Sequence, residues 1–540
     1  MSPLSKDRLA NLFDRLLART EGPKPVEVLA VGLLLLAIAS IVYGSYVAHG
    51  GFYLDDWSDA SGYHFADAPR YWSEVADQNA SLGGRPVAAL LLPLPHALFG
   101  VHPEPHLVLA VGVGVLVSLL LYLLLRVLTL PPLHAGAVAV LALLFPWSDV
   151  IRLWPIAGVL SLSLAFLLLG VAVALRGLRR RGRAGIAIHA GADLLYLFSV
   201  LTYQATAGAA LLAGLLYLGR APRPLALRRW LADIVVILAA VGYSLATTGD
   251  KRHVGSISDR LADIGPFLHQ SAILLAEALV PVGHLGTAAV GLILAAVAAI
   301  VVLALIRSRR PDQLALRAWL QLGAVGVLVI GAAYFMFLGS RLHPGDPGID
   351  MRTNILAGLA YCLLAYAIVA TASLLLFRSR LRAALATLAA TALIAIGYAV
   401  QTKDDEATWE RSATLQSRLL GVVDRALLPL PARSTVLTFD YPAQAGPEVP
   451  IFNKSWDLNG AVKLETNDST VRAFPVYTGV SLRCGPGRVI IDGAGNYGNQ
   501  RARYGRLFFL DVPAGRAERI RTPAQCRQAL RSFHPGPQFA

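Results

Sequence analysis

Long uninterrupted apolar runs alternate with short basic clusters along the first 400 residues. Val26 to Val47, Leu285 to Ile306, Leu320 to Leu338 and Ile355 to Phe377 each exceed the roughly 18 apolar residues that mark a membrane-spanning helix. Basic residues gather between such runs at Arg176 to Arg183, Arg220 to Arg229, Arg307 to Arg310 and Arg378 to Arg382. Placing every cluster on the cytoplasmic side sorts the runs by parity and predicts about eleven spans. They are 26 to 49, 106 to 126, 134 to 148, 156 to 175, 186 to 203, 205 to 219, 230 to 247, 285 to 306, 317 to 338, 354 to 377 and 382 to 400. Pro86 to Gly100 is too short and too rich in proline to cross, and parity puts Pro266 to Gly283 outside as well. Both read as segments lying on the outer surface. The first apolar run is longer than a signal-peptide core and reads as an uncleaved anchor with a cytoplasmic amino terminus. Ahead of it, Leu9, Leu12, Phe13, Leu16 and Leu17 recur at helical spacing among basic residues, as in a helix lying on the membrane face.

The pattern changes after residue 400. Glu406 to Leu428 is amphipathic at the helical period, and short β-rich runs follow, such as Thr435 to Tyr441, Arg488 to Asp492 and Arg506 to Val512, divided by Gly, Pro and Asn. The expected organisation is a cytoplasmic stretch over 1–25, a membrane domain over 26–400 with outer loops 50–105 and 248–284, and an extracytoplasmic α+β domain over 401–540. An odd number of spans delivers that last domain to the outer side. Cys484 and Cys526 would then share an oxidising compartment, where a disulfide between them is expected; Cys362 lies in a span.

Composition agrees with the pattern and removes one class of partner. Hydrophobic residues make up 55% of the 540 and charged residues only 15%, outside the range of soluble globular chains. The net charge of +14 is carried largely by the inter-span clusters, so it reflects membrane orientation rather than nucleic-acid binding. High Ala, Leu and Arg with little Lys fits a GC-rich bacterium, hence the inner or plasma membrane.

The most informative stretch follows the first span directly: Gly51-Phe52-Tyr53-Leu54-Asp55-Asp56-Trp57-Ser58-Asp59. Adjacent carboxylates at a low-dielectric boundary repel one another and lose hydration, so they raise each other's proton affinity or recruit a cation. Either outcome suits activation of a hydroxyl, and either competes with a plain solvated helix cap. The pair keeps specific company: an acidic loop with Asp67, Glu74 and Asp77, then Gly84-Arg85-Pro86, then His102-Pro103-Glu104-Pro105-His106. Asp193 and Glu277, in or near apolar segments, stand isolated and read as ordinary helix polar residues.

This ordering resembles the GT-C glycosyltransferases, in particular the branch containing protein O-mannosyltransferases and lipid A aminoarabinose transferases. The positions that match are Asp55-Asp56, Arg85-Pro86, Phe99-Gly100 and His106, and Phe145 to Trp154 resembles the family's second outer loop with Phe145 in place of its histidine. Asp149 and Arg152 belong to that loop. The likeness extends over the first 400 residues in topology, and its recognisable motifs lie in the first 160 or so.

The resemblance implies transfer of a sugar from a polyprenyl-phosphate donor to an acceptor hydroxyl on a glycan, lipid or protein outside the membrane. Asp55 would remove the acceptor proton, with inversion at the anomeric carbon, and Asp56 would orient the acceptor or a divalent cation such as Mg, Mn or Ca. An arginine would neutralise the departing phosphate, because its planar fork suits phosphate oxygens. The outward arginines include Arg85, Arg152, Arg252 and Arg352. Arg352, at the mouth of a span, fits either that role or an interfacial arginine reaching for headgroups. Lys251 and Arg252 lie in an outer loop able to cover the donor. Two other classes compete: an O-antigen polymerase or ligase, which relies on arginines in a large internal loop, and a transporter or scaffold. A transporter should show paired inverted halves, which this chain lacks.

Overall fold

The structure is a computed structural model and describes residues 23–247, 257–309, 313–340, 342, 344, 348–493 and 500–540. Among them, nine helices are long and apolar enough to cross a membrane: Pro25–His49, Pro103–Val127, Pro155–Leu178, Gly182–Thr202, Arg223–Thr247, Thr287–Ser308, Leu314–Phe335, Gly348–Leu376 and Arg380–Leu427. The chain is a polytopic helical membrane protein with a carboxy-terminal α+β domain.

Two of the expected spans form shorter helices. Pro132–Leu144 has 13 residues, and Gln204–Leu218 begins as a short 3-10 turn before its α-helix. At 1.5 Å per residue the first measures about 20 Å, less than the roughly 30 Å of a bilayer's hydrocarbon core. The expectation of a helix to residue 148 fails because apolar character continues past the point where Pro146 forces residue 145 out of the helical region. The following stretch, 145 to 155, runs as short turns and is buried throughout. Irregular backbone near the membrane is tolerated where protein covers it, and the early stop at Leu144 makes that room.

The last apolar helix does not end at the membrane. Arg380–Leu427 is continuous over 48 residues and carries the chain into the carboxy-terminal domain without a flexible joint. Glu406, Trp409, Ala413, Gln416, Leu420, Val423 and Leu427 form its buried stripe in this extension, spaced by three and four residues as an amphipathic helix requires.

Among the described residues nine strands follow: β1 Thr435–Phe439, β2 Gln444–Gly446, β3 Val449–Pro450, β4 Arg472–Pro475, β5 Val480–Cys484, β6 Arg488–Gly493, β7 Gln500–Arg503, β8 Leu507–Asp511 and β9 Arg516–Ile520. The central sheet has the order β4-β1-β8-β9, with β1 parallel to both neighbours and β9 antiparallel to β8. The helix Ser455–Thr466 makes the crossover from β1 to β4. Every residue of β1 is buried, as a parallel strand covered on both faces should be. Its two faces have different partners. Val436 joins the hydrophobic core that runs through the membrane helices, whereas Leu437 and Phe439 pack with Phe474, Phe509 and Phe533 in a separate core. One face of the central sheet therefore shares its packing with the membrane domain.

Cys484 on β5 and Cys526 on the helix Pro523–Ala529 form a disulfide, with Cα atoms 6.0 Å apart and a sequence separation of 42 residues. The bridge ties the antiparallel β5-β6-β7 sheet to the end of the chain. Closing a loop of that length contributes roughly 3–4 kcal/mol by the chain-entropy relation. Replacing both cysteines with serine is expected to lower the carboxy-terminal domain's resistance to denaturant by about that amount, while wild-type protein shows a matching loss after reduction. Unchanged stability in both samples would contradict the bridge.

Candidate active site

The first outer segment turns sharply into the helix Asp55–Phe65. Leu54, just before it, has φ of 46°, a conformation that a branched side chain rarely adopts. What holds it is Asp56. One carboxylate oxygen accepts from the Tyr53 backbone N–H at 2.9 Å and the other from the Ile156 N–H at 3.0 Å. Trp154 reinforces the same junction by donating its indole N–H to the Tyr53 carbonyl at 3.1 Å. Asp56 is buried, and burial followed by the nearby Asp59 and Asp55 charges pushes its pKa well above the usual carboxylate range against the pull of its two amide donors.

Asp55 points elsewhere. Its Oδ1 accepts from the indole N–H of Trp456 at 2.8 Å, a residue 401 positions away in the carboxy-terminal domain. Behind it, Gly460 presses on the backbone of Trp57 and Ser58, where an added Cβ would meet the Trp57 carbonyl oxygen at 2.3 Å. Trp57 donates to Gln416 on the long helix at 3.1 Å. The carboxy-terminal domain thus forms one wall around Asp55. The two neighbours divide their work: Asp56 organises backbone and Asp55 faces the domain junction. Each Asp56 oxygen accepts one backbone N–H and keeps a second lone pair, so the residue fixes the backbone while remaining able to meet an acceptor hydroxyl or a cation beside Asp55.

Asp59 and Glu74 extend the acidic patch, bridged by Gln78, which donates to Asp59 at 2.9 Å and to Glu74 at 3.0 Å. Burial, then the Asp55 charge, raises Asp59 to about 8. His96 and His106 lie beside it with ring centres 4.5 Å apart and planes inclined at 47°, and both face the Gly100 carbonyl. Burial and the neighbouring His106 lower His96 to about 4, so it is neutral at pH 7. His106 meets the Gly100 carbonyl at 3.0 Å and packs edge-on with Phe52 at 5.1 Å. Arg85 bonds Gln204 at 2.7 Å and lies over the Tyr203 ring, at the irregular outer start of Gln204–Leu218.

A second group gathers on the buried stretch 145 to 155. Asp149 is fully buried and faces Asp405 of the long helix, with Arg152 and Glu406 beside them. Burial, then the Asp405 charge, pushes Asp149 well above the ordinary carboxylate range. Arg152 donates to the Phe145 carbonyl at 2.7 Å and lies over the Tyr43 ring at 5.5 Å, its stem pressed on Gly114. Glu406 pairs with Lys403 at 2.7 Å. Both Asp149 oxygens, Arg152 Nε, Asp405 Oδ2 and Glu406 Oε1 are buried without a hydrogen bond in the chain. Such a concentration of unsatisfied buried polar atoms marks a place built for a polar ligand or for proton sharing.

Arg352 reaches the edge of this group. Its segment, Gly348–Asn354, packs on the 145 to 155 stretch, where Asn354 donates to the Trp147 carbonyl at 2.9 Å and accepts from Tyr334 at 2.7 Å. Arg352 lies 3.7 Å from Asp350, and its Nε is buried without a hydrogen bond. Lys251 and Arg252 lie outside the described residues, as does the amphipathic stretch ahead of the first span.

The structure thus adds four residues to those that the sequence singled out. Asp405 and Glu406 carry the signal that drew attention to Asp55 and Asp56, carboxylates directly following an apolar run. His96 and Trp456 have no comparable local signature.

No family model matches the chain, and no curated protein matches it. Among solved structures, it is similar to ArnT from Cupriavidus metallidurans bound to undecaprenyl phosphate, with 11% identity over 83% of this chain and 86% of that one and a TM-score of 0.42. The apo state of the same protein gives 11% identity over 82% and 85% with a TM-score of 0.36.

The raised pKa of Asp59 has a consequence for stability. The folded state retains a proton that the unfolded chain has released, so stability falls as pH rises from the ordinary carboxyl range through about 8. Thermal unfolding in detergent between roughly pH 5 and 8 should show that decline, and Asp59→Asn should make it shallower, the remainder coming from other buried carboxyls such as Asp56 and Asp457. An identical slope in wild type and variant would show that Asp59 titrates normally.

Proposed function

We propose that this protein is a membrane glycosyltransferase of the GT-C type that moves a sugar from a polyprenyl-phosphate donor to an extracytoplasmic acceptor hydroxyl on a glycan, lipid or protein. The observation that carries the reading is the division between the adjacent carboxylates: Asp56 is bonded to two backbone amides, while Asp55 is held side-on by Trp456 at the domain junction. The donor class follows from the motif resemblance in the first 160 residues.

In this reading the Asp55 carboxylate accepts the acceptor's hydroxyl proton as the oxygen attacks the anomeric carbon. The bond from that carbon to the phosphate oxygen breaks, polyprenyl phosphate leaves with its electron pair, and the configuration inverts. Arg152 and Arg352 supply positive charge for the departing phosphate, with Arg85 further along the outer face. Arg152 is held by the Phe145 carbonyl, and a proton shared between Asp149 and Asp405 halves the negative charge that faces it. Three parts follow: a cytoplasmic amino-terminal stretch over 1–25, the membrane domain over 26–400, and an outer domain over 401–540 in the periplasm or its equivalent at a bacterial inner membrane. The Cys484–Cys526 bridge supports that placement, since disulfides persist in oxidising compartments.

The test is transfer of radiolabelled sugar from a panel of polyprenyl-phosphate sugars to membrane acceptors. Asp55→Asn should lower the rate by about 10²-fold or more with folding intact, the magnitude expected on losing a general base. Trp456→Phe should lower it less and leave the melting temperature unchanged. Full activity in Asp55→Asn would exclude this mechanism.

A further inference from the structure

Asp193, isolated in the sequence, has company in the fold. The helices Gly182–Thr202 and Arg223–Thr247 pack side by side and bring His189, Asp193 and Asp233 together, with one potential ligand atom from each within 4.8 Å of the others. His189 and Asp193 are four residues apart and share a helix face. Asp233 comes from the neighbouring helix and meets His189 Nε2 at 2.8 Å. His189 is 1% exposed and Asp233 is 0% exposed, yet Asp233 Oδ2, Asp193 Oδ1 and His189 Nδ1 form no hydrogen bond.

We propose that His189, Asp193 and Asp233 form a binding site for a first-row divalent metal ion, a clamp between two membrane helices distinct from the outer acidic groups. An imidazole and two carboxylates are a donor set that Zn²⁺ and Co²⁺ accept at about 2.0–2.2 Å per ligand. Charge points the same way. Two carboxylates in an apolar helix pair carry a charge that the membrane interior penalises heavily. Arg229 acts on Asp193 and the hydroxyls of Tyr196 and Tyr217 bring no positive charge, so without a metal the cluster reaches neutrality only by holding a proton on His189, which pairs with Asp233, or between the two carboxyls. A divalent ion neutralises the cluster and satisfies the unpaired oxygens together. Access is provided by Asp193, which is only partly buried. Both helices begin in basic clusters, so the site lies within two to three turns of the cytoplasmic ends assigned by charge.

The test uses the full chain without an affinity tag, purified in detergent and stripped with a chelator. Titration with Co²⁺ should saturate at one ion per chain with visible d–d absorption, and Zn²⁺ should displace it and raise the melting temperature. His189→Ala and Asp193→Asn should each weaken Co²⁺ binding at least tenfold, while Asp55→Asn should bind as wild type does. Asp193→Asn, at the partly exposed position, guards against a folding defect, checked by its melting temperature without metal. Absence of Co²⁺ and Zn²⁺ uptake by wild type, or unchanged binding in both cluster variants, would overturn the site. Sugar transfer plays no part in this readout, so the outcome is independent of the transferase reading.

Discussion

Two backbone amides bonded to one carboxylate set the geometry of the candidate site. Asp56 accepts from Tyr53 in the first outer segment and from Ile156 in the second, joining stretches a hundred residues apart. Everything nearby inherits its position from that joint: the constrained turn at Leu54, the outward aim of Asp55, and the placement of Arg152 three residues before the helix that begins at Pro155. A buried carboxylate is expensive unless its oxygens are satisfied, and here each oxygen accepts a main-chain N–H. Removing that acceptor would leave two buried donors unpaired and release both segments together.

The second constraint is continuity. A flexible tether would let an outer domain drift relative to the membrane, but the 48-residue helix Arg380–Leu427 passes rigidly from one to the other. Its extension presents Asp405 and Glu406 to the buried stretch that carries Asp149 and Arg152, and then Trp409 and Gln416 to the first outer segment. Val436 on β1 adds the outer sheet to the same packing. Trp456 can hold Asp55 at hydrogen-bond distance because the domain carrying it is docked through a shared apolar core and not only through polar contacts.

Much of this was legible from sequence, for identifiable reasons. Spanning helices announce themselves by length and apolarity, and their burial in lipid makes that signal strong. The same signal misled at residues 134 to 148, where Phe145, Pro146 and Trp147 stay apolar because protein covers them, although the helix has ended. The Asp55-Asp56 pair stood out by position, but its division of labour depends on Ile156 and Trp456, which no local pattern reveals. Asp405 and Glu406 had the right local pattern, carboxylates just beyond an apolar run, without a surrounding motif to single them out. Asp193 looked isolated because its partner Asp233 is forty residues on and reached only through helix packing.

The most direct measurement is an experimental structure, by electron cryo-microscopy in a lipid nanodisc, of the protein bound to a polyprenyl-phosphate sugar. The division between the two carboxylates predicts the sugar's anomeric carbon beside Asp55, the phosphate against Arg152 or Arg352, and Asp56 still bonded to the amides of Tyr53 and Ile156. A donor seated away from Asp55, or an Asp56 released from those amides to contact it, would contradict the roles assigned to the pair.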